Sequence, residues 1–253
     1  MNVIISGSSG TMGTVLRQEL EKEDDIQIIA GFDNQIGKNP LPFKQYMDLT
    51  DAPGGADVVI DFSHFSAVPM LMEYCVRTKT PVVVATTALE KKEKDILIEA
   101  ARTIPVFKSA NMSLGINIIK KMCQNSVPSL EKDFNIEIIE KHHSMKADSP
   151  SGTAVLLADS INDACKEHKN YIYGRHGKKD VCKMSDLGIH AVRGGTIPGQ
   201  HTVMFAGPDE VIEITHTAYS KRVFAQGAIK AARFIEDKEP GYYDMDDLIA
   251  ESK

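Results

Sequence analysis

The sequence predicts an α/β fold, with a doubly wound parallel sheet at the N-terminal end and a C-terminal α+β domain built on a mixed or antiparallel sheet. Three observations predict it. Short β-rich runs alternate with amphipathic stretches through the first half, the pattern of repeated βαβ units. A glycine-rich turn stands between the first such run and the first amphipathic stretch. After about Ser113 the order changes, and three strand-like runs follow one another without helices between them.

Val3 to Ser6 reads as the first strand and Ile26 to Gly31 as the second, with Met12, Val15, Leu16 and Leu20 between them at helical spacing. Asp57 to Phe62, Pro81 to Thr86 and Ile104 to Phe107 read as further strands, and Val68, Leu71, Met72 and Cys75 form another apolar helix face. A helix from about Gly115 to Gln124 precedes a strand from Asn135 to Glu140. Ser149 is expected to cap the next helix, with Pro150 in its first position and Ala154, Leu157, Ala158, Ile161 and Cys165 on one face. Leu187 to Val192, His201 to Ala206 and Glu210 to Thr217 are the consecutive strands. A last helical pattern through Val223, Ala228, Ile229, Ala232, Phe234 and Ile235 returns the chain to the first domain, so the expected domains are 1–112 with 222–253, and 113–221.

At 253 residues and 42% hydrophobic content, the chain can bury enough surface for two cores. A net charge of -6 without any basic run argues against a nucleic-acid partner. The first residues lack a charged and apolar export signal and no apolar run reaches membrane-spanning length, so a soluble cytoplasmic protein without a membrane partner is expected. Cys75, Cys123, Cys165 and Cys182 are widely spaced and form no Cys-x-x-Cys pair, which reads as free thiols and not disulfides or zinc ligands.

Two segments carry chemistry. The first is Gly7-Ser8-Ser9-Gly10-Thr11-Met12-Gly13, directly after the first strand. Glycines there tolerate positive φ and close approach, and the amides at the helix start stabilise a pyrophosphate, as in a Rossmann-like dinucleotide site. The spacing Gly-x-x-Gly-x-x-Gly is not the commonest one, and the plain alternative is a structural turn. Asp33 stands about twenty residues beyond Gly13, where a carboxylate accepts hydrogen bonds from the adenosine ribose. It would repel the 2′-phosphate of NADP, and no arginine follows it, so NADH is the expected cofactor with NADPH as a poorer one.

The second segment runs from Glu137 through Glu140-Lys141-His142-His143-Ser144-Met145-Lys146-Ala147-Asp148-Ser149-Pro150 to Ala154. It sets two imidazoles and an ammonium before a helix start whose amides at Ser151, Gly152 and Thr153 could take a carboxylate. A polar loop with a capped helix is the plain alternative. Metal binding is disfavoured, since adjacent histidines point apart on extended backbone and no third ligand stands at a recognised spacing.

The run from Glu140 to Ala154 resembles the signature of the 4-hydroxy-tetrahydrodipicolinate reductase family: a glutamate, two histidines, a lysine three residues on, then Asp-x-Pro-Ser-Gly-Thr-Ala. Ala85-Thr86-Thr87-Ala88 and Ser109-Ala110-Asn111-Met112 resemble the loops that line the family's nicotinamide pocket, and similarity continues through Arg193-Gly194-Gly195, Gly199-Gln200-His201 and Arg222-Val223-Phe224-Ala225. The resemblance implies that His142 is the general acid, Lys146 a second proton-donating and charge-stabilising group, His143 a substrate contact, and Gly152 and Thr153 the binders of a substrate carboxylate. It also implies a cyclic dicarboxylate substrate and a homotetramer. An acidic chain must gather local positive charge for a dicarboxylate, and His143, Lys146, Arg193 and Arg222 are the candidates. This chain departs from the family in having Thr11 and Asn34 where users of NADPH often carry arginine, and Ala85 and Ala88 where glycine is usual. Two rivals stay open: another two-domain nicotinamide dehydrogenase, such as a semialdehyde dehydrogenase needing an activated cysteine, and a catalytically silent dinucleotide sensor.

Overall fold

Val3, Ile4 and Ile5 are all fully buried in β1 (Asn2–Ser6), with Val3 and Ile5 in one apolar layer and Ile4 in another. A strand apolar on both faces needs helices on both, which is the situation of a parallel sheet. The computed structural model, which describes residues 1–36, 40–52, 54–178 and 181–251, meets that need. After β1 come α1 (Thr11–Leu20), β2 (Gln27–Phe32), β3 (Lys44–Tyr46), β4 (Val58–Asp61), α2 (Val68–Thr78), β5 (Val82–Val84), α3 (Lys91–Ala100) and β6 (Pro105–Lys108). Then follow α4 (Leu114–Leu130), β7 (Asn135–His142), α5 (Gly152–Ala164), β8 (Asn170–Ile172), β9 (Asp186–Arg193), β10 (Gly199–Ala206) and β11 (Val211–Ala218), and finally α6 (Arg222–Ile235), β12 (Gly241–Tyr243) and α7 (Met245–Glu251).

Two units result, Met1–Leu114 with Lys221–Lys253, and Gly115–Ser220. In the first, seven parallel strands lie in the order β12-β6-β5-β4-β1-β2-β3. The order reverses direction at β1, the switch point whose strand ends form a natural ligand crevice. Leu16 and Leu20 of α1 and Ala225, Ala228 and Ala232 of α6 pack on the Val3 side; Leu71 and Met72 of α2 and Leu97 of α3 pack on the Ile4 side. Each large aliphatic side chain so buried contributes about 1.5–3 kcal/mol. Small residues on α6 have a purpose: a Cβ on Gly227 would fall 1.7 Å from the Met112 carbonyl oxygen, so only glycine lets the helix approach that loop.

The second unit carries a mixed sheet in the order β11-β10-β7-β9-β8, antiparallel across β10 and parallel between β7, β9 and β8. Ile136, Ile138, Leu187, Val203 and Phe205 face Cys123 and Val127 of α4 and Leu157, Ala158 and Ile161 of α5. Two boundaries differ from the sequence expectation. Helix α4 continues to Leu130 through Pro128, and the cap of α5 is Ser151, not Ser149, because the Ser151 Oγ accepts the Ala154 N–H at 3.2 Å. Pro150 therefore precedes the helix. Unanticipated elements were either very short, as β3, β8 and β12 are, or weakly patterned, as α3 is with only Leu97 and Ala100 as buried apolar positions.

Candidate active site

Period-two alternation along β7 carries Ile136, Ile138, Glu140 and His142 to one face, and register sets His142 level with Arg193 of β9 and Glu140 level with His201 of β10. The Glu140 side chain is 0% exposed, and a buried carboxylate needs donors. Arg193 Nη1 donates to Oε2 and Nη2 to Oε1, each at 2.7 Å, and the Ser151 N–H donates to Oε1 at 2.9 Å. His142 Nδ1 lies 2.6 Å from Oε2. Burial alone would push the Glu140 carboxyl up, but Arg193, His142 and the Ser151 N–H outweigh it and hold the group below the ordinary glutamate range. A carboxylate at this position accepts the Nδ1 proton of His142 and so leaves Nε2 as the nitrogen for proton exchange. The ring is tightly housed, since a Cβ on Gly199 would lie 3.2 Å from that Nε2.

Behind this pair, His201 is 5% exposed, its Nε2 is 2.8 Å from the Ser151 Oγ, and its ring meets that of His142 edge-on at 5.1 Å. Burial, helped by the neighbouring His142, lowers its pKa to about 4, so it is neutral at neutral pH. The Ser151 Oγ thus joins the Ala154 N–H at the start of α5 to the His201 ring.

Lys146 and His143 sit in the turn after β7. The Lys146 N–H donates to the His143 carbonyl at 3.2 Å, His143 is exposed, and Lys146 Nζ is 2.7 Å from Asp148 Oδ1. The Asp148 carboxyl is also hydrogen-bonded by the Gly152 backbone, so the start of α5 already holds one carboxylate, the chain's own. Two expectations change. The Ser151 amide is not open to a substrate, because Glu140 accepts it. Arg193 is not a spare cation either: the buried carboxylate takes its guanidinium in a two-pronged grip, and its Nη2 also donates to the Asp148 carbonyl at 2.6 Å. Arg222 opens α6 in the first unit, where its charge acts on Glu19.

In the first unit, Gly7 has φ +79°, and a Cβ there would lie 2.7 Å from the Phe62 carbonyl oxygen. A Cβ on Gly13 would lie 2.1 Å from the Gly7 carbonyl oxygen, so both positions require glycine for the turn to close on α1. Gly7 and Ser8 N–H both donate to the Phe32 carbonyl, and the Gly10 N–H donates back to Gly7. Asp33 Oδ2 accepts the Ser9 N–H at 2.9 Å and Oδ1 the Gln35 N–H at 3.1 Å, which fixes the carboxylate beside the turn. Gln45 of β3 donates to both the Ser8 and Ser9 hydroxyls, at 3.0 and 2.9 Å. The helix starts at Thr11, so the N–H groups of Thr11 and Met12 have no intrahelical acceptor. A turn that excludes side chains, a helix start and a fixed carboxylate fit the pyrophosphate and ribose of a dinucleotide.

The two further loops meet at the ends of β4, β5 and β6. The Ala85 N–H donates to the Asp61 carbonyl at 2.8 Å, and Thr86 Oγ1 donates to Asp61 Oδ2 at 2.7 Å. The Ser109 Oγ donates to the Asn111 carbonyl at 2.8 Å, the Asn111 Oδ1 accepts the Ser113 N–H at 2.8 Å, and Met112 is buried against Gly227. Thr87 and Ala110 are exposed between these anchors. Ala88 has φ +57°, a left-handed conformation that glycine adopts without the Cβ penalty. Ala88→Gly is therefore expected to raise stability by up to about 1 kcal/mol; urea unfolding of the two proteins checks this, and a loss of stability would refute the strain.

The thiols offer no activated nucleophile: burial pushes Cys75 well above its ordinary range and Cys123 up to about 12, and Cys165 and Cys182 are raised also. Among the described residues no helix is long and apolar enough to cross a membrane, and no group of three His, Cys, Asp or Glu side chains could hold a metal ion. Sequence reading singled out neither Glu140 nor His201, although Glu140 lies two residues from His142 and so shares its face. Gln45 and Asp61 left no signal, because only pairing of distant strands brings them to the loops.

Residues 1–112 match the family model described as dihydrodipicolinate reductase, N-terminus, and residues 115–249 the one described as dihydrodipicolinate reductase, C-terminus. The 4-hydroxy-tetrahydrodipicolinate reductase of Caldanaerobacter subterraneus subsp. tengcongensis is 47% identical over 249 residues, covering 98% of each chain. That of Clostridium tetani is 45% identical over 249 residues, covering 98% of this chain and 97% of its own. Among solved structures, dipicolinate-bound dihydrodipicolinate reductase from Paenisporosarcina sp. TG-14 aligns with a TM-score of 0.80 at 19% identity, over 96% of this chain and 97% of that one. Diaminopimelate dehydrogenase of C. glutamicum aligns with a TM-score of 0.58 at 14% identity, over 100% and 99%. At those identities the structural likeness speaks to fold.

Proposed function

From the premise that the chain belongs to the dihydrodipicolinate reductase family, we propose that it reduces 4-hydroxy-tetrahydrodipicolinate to tetrahydrodipicolinate with loss of water, using a nicotinamide dinucleotide. The observation that carries the reading is the buried Glu140 carboxylate holding His142 by Nδ1 at the start of α5. Bound reduced nicotinamide would supply the hydride. The chain's residues supply the rest. Loss of the substrate hydroxyl leaves a conjugated cyclic imine, and reduction at its alkene carbon drives electron density to the ring nitrogen. His142, oriented by Glu140, delivers a proton there from Nε2. Lys146 is assigned to the developing charge and to a substrate carboxylate, with His143, Gly152 and Thr153 completing that contact. The carboxylate of Asp148, now on Lys146 and Gly152, gives way to the substrate's in this reading. Arg193 holds Glu140 ionised and does not bind substrate.

On the dinucleotide, Gly7, Ser8, Ser9, Gly10, Thr11 and Met12 are assigned to the pyrophosphate, Asp33 to the ribose, and Ala85, Thr86, Thr87, Ser109, Ala110, Asn111 and Met112 to the nicotinamide end. Since Asp33 is anchored by two backbone amides, it cannot easily swing away from a 2′-phosphate, which favours NADH. Steady-state reduction of freshly prepared 4-hydroxy-tetrahydrodipicolinate tests both readings. Turnover is expected with each cofactor, with kcat/KM higher for NADH by roughly tenfold. No oxidation of either cofactor would reject the activity, and a higher kcat/KM for NADPH would reject the cofactor preference. A homotetramer in the cytoplasm completes the proposal.

A further inference from the structure

Lys108 ends β6 and belongs to neither loop that the sequence singled out. Its Nζ donates to the Thr86 carbonyl at 2.7 Å and to the Ser109 carbonyl at 3.0 Å. One ammonium thus joins the loop after β5 to the loop after β6. Asp61 secures the same assembly from β4, through its bond to the Thr86 hydroxyl, and Thr86 Oγ1 also donates to the Ser63 carbonyl at 3.0 Å. We propose that Lys108 is a positioning residue for the nicotinamide end of the cofactor: it clamps the two loops at the spacing the ring requires, and the clamp is strong only while the amine is charged.

The proposal rests on the assignment of those loops to the nicotinamide. A charged donor makes hydrogen bonds roughly twice as strong as a neutral one. Burial lowers the Lys108 pKa to about 8; Asp61 opposes this, and Lys94 of α3 adds to it. The sign follows. A lysine whose pKa is lowered is charged below pH 8 and neutral above it, so the clamp weakens as pH rises through about 8. Burying the ammonium also costs folding energy at neutral pH.

Isothermal titration calorimetry of the full-length protein tests this with two probes, NADH and ADP-ribose, the second lacking nicotinamide. From pH 6.5 to pH 9.5 the wild-type Kd for NADH is expected to rise roughly fivefold, with little change for ADP-ribose. Lys108→Met is expected to bind NADH roughly tenfold more weakly than the wild type at pH 6.5, with little further change at pH 9.5, and to bind ADP-ribose as the wild type does. Lys108→Arg is expected to restore part of the NADH affinity and to remove its pH dependence. Unchanged NADH affinity in Lys108→Met, or equal losses for both probes, would overturn the proposal. If the wild type binds ADP-ribose while NADH gains nothing over it at any pH, the loops do not hold nicotinamide, and the underlying assignment fails with it. If Lys108→Met cannot be purified folded, the wild-type pH series decides alone: a flat NADH-to-ADP-ribose affinity ratio sinks the clamp.

Discussion

His142→Gln is expected to lower kcat by roughly two to four orders of magnitude while leaving the Kd for NADH within about twofold of the wild type. The geometry separates the two quantities. His142 is bonded to Glu140 in the Gly115–Ser220 unit, whereas the glycine turn and Asp33 belong to the other. Glutamine can donate an amide hydrogen to Glu140 and keep the pocket filled, but it has no proton to give to a developing anion. The double salt bridge from Arg193 to Glu140 does not depend on position 142, so the fold should stand. Single-turnover kinetics beside NADH titration makes the measurement. A kcat near the wild-type value would remove His142 as the acid, and a parallel collapse of NADH affinity would show that the variant had lost more than a proton donor.

The largest stability effect belongs to Glu140. Glu140→Gln keeps the shape but leaves one acceptor oxygen where two now serve Arg193, His142 and the Ser151 N–H. The guanidinium, only 19% exposed, would lose its counter-charge and face an amide N–H. Removing one member of such a pair costs about 3 kcal/mol, because the other charge stays desolvated. Urea unfolding at pH 7 should show that loss, and Arg193→Met placed on top of Glu140→Gln should recover a good part of it. Activity should not return in the double variant, since His142 would still lack its carboxylate. Additive losses would mean that the two side chains are not coupled as drawn. The acid limb of stability points the same way. A carboxyl held below its ordinary pKa contributes stability that is complete above about pH 4.5 and lost as pH falls through the lower folded-state value. Glu140→Gln should flatten that limb.

These effects separate what was legible in the residues from what was not. The segment from His142 through Lys146 to Ser151 was legible as a candidate site because its polar groups are near neighbours along the chain. Arg193 was legible as a cation but not in its partner, since 53 residues separate it from Glu140 and only the parallel pairing of β7 with β9 brings them together. The Ser151 amide illustrates the same point. A helix start advertises unpaired amides, yet which of them a buried side chain will claim depends on the strand passing beneath it.

By itself the sequence determined the period-two and helical repeats, hence the layers, and it determined the two local constellations, the glycine turn with its following acid and the histidine segment before α5. Those are properties of near neighbours, where spacing along the chain fixes geometry. Only the tertiary structure decided that Glu140 is the hub of the second unit, that Ser151 and Arg193 are its partners, that Gln45 braces the glycine turn, and that Lys108 joins two loops. Strand register sets those contacts, and register is chosen by burial of the whole sheet face at once.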